Sequence, residues 1–246
     1  MIRGLRVALG FLTRLPMPAG GHGDPRALAG SVAWYPMVGL LLGALLCGLD
    51  WLLQGAPTLV GAAVLLTVWV VLTGALHLDG LADSADAWVG GLGNRERTLS
   101  IMKDPRSGPV GVVSVVLILL LKFAAVASLP PVGALTMNWA LLLAPLLARA
   151  GLTALFLWMP YARREGLGTP LLAAPRGACL FALMVTLAIC LCCGWRGVTA
   201  LGIAALVWLA WRYACMDRLQ GFTGDTAGAL TEMTEAAVVV ALAIAG

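Results

Sequence analysis

The chain has 246 residues, of which 61% are hydrophobic and 11% charged, and its mean hydropathy is +0.94. Soluble domains carry about a quarter charged residues, so the composition excludes a soluble globule and predicts an all-α, polytopic integral membrane helix bundle. The net charge of +4 is small; its placement matters more than its size, and no nucleic-acid partner is expected.

The N-terminus, MIRGLRVALGFLTRLP, joins basic residues to an apolar run without a small-residue cleavage site. It reads as an amphipathic interfacial helix rather than a signal peptide. About seven apolar runs follow, at 30–53, 58–78, 110–129, 137–159, 177–194, 198–215 and 228–246, each a candidate for crossing the hydrocarbon core, which takes about twenty residues. The connections at 54–57, 130–136 and 194–197 hold only Arg196 among basic residues, whereas the alternate connections carry the rest apart from Lys122, Arg149 and Arg212, which lie inside the runs. The positive-inside rule therefore predicts a multi-pass membrane protein with its N-terminus and polar loops in the cytoplasm. With no repeat, low-complexity tract or soluble linker, residues 1–246 read as a single membrane domain. The thiols of Cys179, Cys190, Cys192 and Cys193 lie in one apolar segment without ligand spacing, and read as helix-packing groups.

After the second run stands HLDGLADSADAW, residues 77–88. Asp79, Asp83 and Asp86 are spaced i, i+4, i+7 and fall within a sector of about 60° on a helix. Three stacked carboxylates at the end of an apolar helix repel one another and lose solvation. Either some stay protonated or a cation sits between them. Oxygen ligands select a hard cation, and Mg²⁺ takes one or two carboxylates plus substrate phosphates. A solvated helix face is the plain alternative, but the residues between the acids, Gly80, Ala82, Ser84 and Ala85 among them, are small or apolar and do not make a generally hydrophilic helix. His77 points away from the aspartate face and fits a structural role at least as well as a catalytic one.

In ERTLSIMKDPRSGPVG, residues 96–111, Lys103 and Arg106 flank Asp104 in a Pro/Gly turn. They either offset the acids or grip phosphate, Arg bidentately and Lys as a point charge. Lys122 and Arg149 fall inside predicted spans, where exposure to lipid costs about 2.5–3.5 kcal/mol, so each must face the bundle interior. Pairing with a buried acid and contact with an anionic substrate are both open. Arg163 and Arg164 in YARREGLGTP, and Arg14 in FLTRLPMP, read as topology signals or as phosphate contacts. In GFTGDTAGALTEMTEA, residues 221–236, Asp225 and Glu232 share a face if a helix starts near 225. Asp225 alone fits a helix cap; with Glu232 and Glu235 it suggests a second ligand set or a general base.

FLTRLPMP, HLDGLADSADAWVGG, MKDPRSGPVGV and TGDTAGALTEMTEA, in this order, resemble the cobalamin synthase family, also called adenosylcobinamide-GDP ribazoletransferase. The resemblance runs from about residue 8 to the C-terminus. It implies transfer of adenosylcobinamide phosphate from adenosylcobinamide-GDP to the ribose hydroxyl of α-ribazole, or of α-ribazole 5′-phosphate, with GMP leaving and Mg²⁺ required. On that chemistry Asp79, Asp83 and Asp86 hold the metal and Lys103 and Arg106 take phosphate charge, with Arg14, Lys122, Arg149 and Arg164 as further candidates. Asp225 and Glu232 are the expected catalytic acids, Glu232 as proton acceptor, with Asp104 beside them. Homo-oligomerisation is left open. Two rivals are a Mg²⁺-dependent membrane phosphotransferase of the CDP-alcohol or prenyl type, which the complete tail motif disfavours, and a cation-coupled transporter. The transporter requires acids near mid-membrane reachable from both sides.

Overall fold

Each apolar run is largely helical in the computed structural model, which describes residues 2–16, 24–130, 138–163 and 168–245. The helices are α1 (Ile2–Leu12), α2 (Pro25–Ser31), α3 (Tyr35–Leu52), α4 (Thr58–Thr73), α5 (Leu76–Gly90), α6 (Arg95–Ile101), α7 (Pro109–Ala127), α8 (Trp139–Trp158), α9 (Arg176–Cys192), α10 (Gly194–Leu219) and α11 (Gly224–Ala245). Arg164 lies outside the described residues.

Five stretches, Pro25–Leu52 with its 3₁₀ turn included, α7, α8, α10 and α11, are long and apolar enough to cross a membrane. The run expected at 58–78 is not straight. It breaks into α4 and α5, which meet at 86°. Gly74 and Ala75 stand side by side in the left-handed region, at φ 62° and 56°, which glycine adopts freely and alanine only at a cost. The Arg14 side chain lies against Gly74 where a Cβ would sit, and the Arg14 N–H donates to the Leu72 carbonyl at 2.7 Å. The segment after α1 thus braces the bend. The fifth run, α9, has 17 residues and is short for a full crossing.

Helix α8 is the hub. Apart from Arg149 and Thr153 it is apolar around its circumference, and it is buried along nearly its whole length, as expected of a helix with no solvent face. It packs against α3, α11, α9 and α10. On the periphery α7 exposes Val112, Val116, Leu117 and Leu120, and α10 exposes Leu206 and Leu209. Apolar surface this extensive belongs against lipid. Helix α1 buries Val7, Ala8 and Leu12 and turns Arg3 and Arg6 outward, the amphipathic pattern expected of it.

Polar connections converge at one end of the bundle. Tyr161 and Phe222 form an isolated bridge, with the Ala162 N–H donating to the Phe222 carbonyl at 2.8 Å. Arg95, at the start of α6, donates to the carbonyls of Leu219 and Ala162 at 2.8 and 3.0 Å. Arg218 reaches the Trp88 carbonyl at 2.8 Å, and Trp88 stacks on Trp211. These contacts lock the ends of α5, α10 and α11 to the segment after α8.

Candidate functional site

Small residues bring α5 and α11 together. Gly80 lies against the Asp225 backbone, and Gly228 against the backbones of His77 and Gly80. A side chain at either glycine would hold the helices apart. Asp79 and Asp83 therefore stand beside Asp225 in the first turn of α11. Asp79 is exposed and Asp83 half-buried. Asp79, Asp225 and Asp86 act on Asp83 as like charges, opposed by Arg163.

Arg163 donates to Asp225 Oδ2 at 2.6 Å, with both side chains about one-fifth exposed. The adjacent arginines of the 161–170 loop carry no mark that separates them, so the sequence did not single out Arg163. One guanidinium against a group of acids leaves negative charge uncompensated, and the donors are all oxygens, which suits a hard cation. Among the described residues no group of three or more His, Cys, Asp or Glu side chains is placed to hold a metal ion. The set fits a Mg²⁺ that takes few protein carboxylates and leaves positions for phosphate and water.

Asp86 is differently engaged. Its Oδ2 accepts from the Gly108 N–H at 2.6 Å and its Oδ1 from the Gly111 N–H at 2.8 Å. The carboxylate caps α7 from another helix, satisfying first-turn donors and facing the positive end of the helix dipole. It also ties the preceding loop to the end of α5. In that loop Lys103 and Arg106 are exposed, and Arg106 makes a two-pronged pair with Asp104, at 2.9 and 2.7 Å. These bonds, and a backbone bond from the Arg106 N–H, hold the Asp104 carboxyl down at about 2.

A second group of charges lies deeper. Lys122 on α7 donates to Glu232 at 2.6 Å and to Glu235 at 2.5 Å, and Arg149 on α8 pairs with Glu235. All four side chains are almost wholly buried. Both intramembrane cations are thus paired with buried acids. Glu232, on the same helix as Asp225, faces Lys122 in the interior. His77 is buried, its Nδ1 without a hydrogen-bond partner among the described residues. Arg14 sits at the α4–α5 bend.

Fold and site together define a polytopic membrane protein with an acidic face assembled from two helices at one end of the bundle. The sequence model of the cobalamin-5-phosphate synthase family matches residues 4–243, and the chain belongs to that family. It is 51% identical over 240 residues to the adenosylcobinamide-GDP ribazoletransferase of Pseudomonas syringae pv. syringae, covering 97% of this chain and 98% of the relative. The protein of that name from Stutzerimonas stutzeri is 54% identical over 241 residues, covering 98% and 97%. The one from Pseudomonas aeruginosa is 52% identical over 245 residues, covering 99% and 98%. No solved structure matches the chain.

Proposed function

We propose that this chain is an adenosylcobinamide-GDP ribazoletransferase of the bacterial inner membrane, with its acidic face toward the cytoplasm. Its acceptor is α-ribazole or α-ribazole 5′-phosphate. The acceptor's ribose hydroxyl oxygen forms a bond to the phosphorus that carries the cobinamide, and the diphosphate bridge breaks. GMP leaves with the bridging oxygen and its electron pair. The product is adenosylcobalamin or its 5′-phosphate. The observation that carries this reading is the meeting of Asp79 and Asp83 on α5 with Asp225 on α11, in a chain so similar to enzymes of that name.

Asp79 and Asp83 are the residues that would hold Mg²⁺, which supplies charge neutralisation on the diphosphate oxygens. Asp225, fixed by Arg163, receives the proton of the attacking hydroxyl. Lys103 and Arg106 bind phosphate from the loop that Asp86 anchors. For Arg106 this means exchanging its exposed pair with Asp104, a weak competitor at the surface. Glu232, held by Lys122, sets the position of α11 and so the reach of Asp225. Phosphoryl transfer needs positioning and electrostatics more than a covalent nucleophile, and this is what the residues offer.

The test is GMP release from adenosylcobinamide-GDP by purified protein in detergent, with and without Mg²⁺, and with each acceptor separately. Release that needs both an α-ribazole acceptor and Mg²⁺ is expected. Release that is indifferent to chelation would remove the metal from the scheme, and transfer only to a lipid alcohol would remove the reaction.

A further inference from the structure

We propose that a membrane-facing groove between α2–α3 and α9 is a binding site for an acidic phospholipid, its phosphate held by Arg3 and Arg26. The groove encloses about 560 Å³ and is lined chiefly by apolar side chains, with Trp34, Met37 and Leu40 on one wall and Phe181 and Val185 on the other. Phe181 is 69% exposed and Met37 45%, so the groove opens sideways onto the surface that meets lipid. Its floor reaches Leu146 on the hub helix.

Charge identifies the occupant. Arg3 and Arg26 line the same groove, are exposed, and form no salt bridge among the described residues. The one acid on the lining, Asp24, spends an oxygen on the Arg26 N–H at 3.0 Å as the cap of α2. Apolar walls with two free guanidinium groups suit an acyl chain below an anionic headgroup. The walls carry none of the acids of the site described above, so the groove is separate from it. Gly30 contributes to the opening: a Cβ placed there meets nothing within 4 Å, so its missing side chain leaves space for a ligand instead of a close helix contact.

The experiment is native mass spectrometry of the full chain after exchange with vesicles of dioleoyl-phosphatidylglycerol and dioleoyl-phosphatidylethanolamine in equal amounts. One phosphatidylglycerol should be retained preferentially. Arg3→Gln with Arg26→Gln should lower that preference by about fivefold per arginine removed while bound lipid of either kind persists. Gly30→Leu should empty the groove of both lipids, and because its Cβ enters open space the fold should tolerate it. Ala182→Trp fills the groove from the opposite wall and should do the same. GMP release in detergent serves as the check of folding, since none of these residues belongs to the acidic site. Equal retention of the two lipids by the parent, an unchanged preference in the arginine variant, or full occupancy in both groove-filling variants would each overturn the proposal.

Discussion

Lys122 of α7 and Glu232 of α11 meet at 2.6 Å inside the bundle, both almost wholly buried. Breaking a buried pair from one side leaves a charge without a partner, at a cost of about 3–5 kcal/mol. Lys122→Met should therefore lower the unfolding midpoint in detergent sharply. Adding Glu232→Gln to it should restore part of the loss, because one orphaned charge is removed. A double variant no more stable than Lys122→Met alone would mean that the pair does not carry this energy.

Asp86 makes a separate prediction, because both its oxygens accept from the α7 N-terminus. Asp86→Ala should cost about 0.5–2 kcal/mol, the usual range for a lost cap. It should also speed hydrogen exchange at Gly108 and Gly111 while leaving the amides of α8 unchanged. If exchange at those two glycines does not change, the cap is not holding the helix.

These two relationships show where sequence reading stops. The positions of the helices were legible because burial in lipid demands long apolar runs, and the row of Asp79, Asp83 and Asp86 was legible because helical spacing stacks them. The role of Asp86 was not: its partners Gly108 and Gly111 lie more than twenty residues away and nothing local marks them. The bend at Gly74 and Ala75 was also hidden, since hydropathy continues smoothly through it and only backbone torsion separates α4 from α5. Pairing of Lys122 and Arg149 with acids was one of two readings. Contact geometry was needed to see it.

Asp225 and Arg163 predict a graded loss of activity. Asp225→Asn should slow GMP release by about 10²–10⁴-fold, the range for a missing proton acceptor. Arg163→Ala should slow it by about tenfold or more, as a hydrogen bond to a charged group contributes about 1.5–3 kcal/mol. Single-turnover kinetics at saturating donor will separate this from weaker binding. Equal losses in both variants would argue that the arginine meets substrate itself.

For the metal, Asp79→Asn and Asp83→Asn should each raise the Mg²⁺ concentration needed for half-maximal GMP release, with little change in unfolding midpoint. Asp86→Asn should do the reverse, since its carboxylate serves α7. A Mg²⁺ titration of the three variants beside the parent checks this directly. An Asp83→Asn protein with full turnover and unaltered Mg²⁺ dependence would end the assignment.

Asp104 gives the pH dependence. Its carboxyl is held at about 2 against an ordinary 3.8, first by the side-chain bonds from Arg106. A depressed carboxyl favours the folded chain above the ordinary value and loses that contribution as pH falls through the lower one. The small difference in unfolding midpoint between the parent and Asp104→Asn should be constant at neutral pH and close between 3.8 and about 2. A difference that closes near neutrality would contradict the pairing.

The deep charges carry a consequence for biogenesis. Lys122 and Arg149 balance Glu232 and Glu235 in number, so this buried cluster is balanced, whereas α11 by itself would bring two carboxylates into hydrocarbon. Translation runs from the N-terminus, so the segments bearing the cations emerge from the ribosome before the acids do. The order of synthesis thus puts both counterions ahead of the helix that needs them.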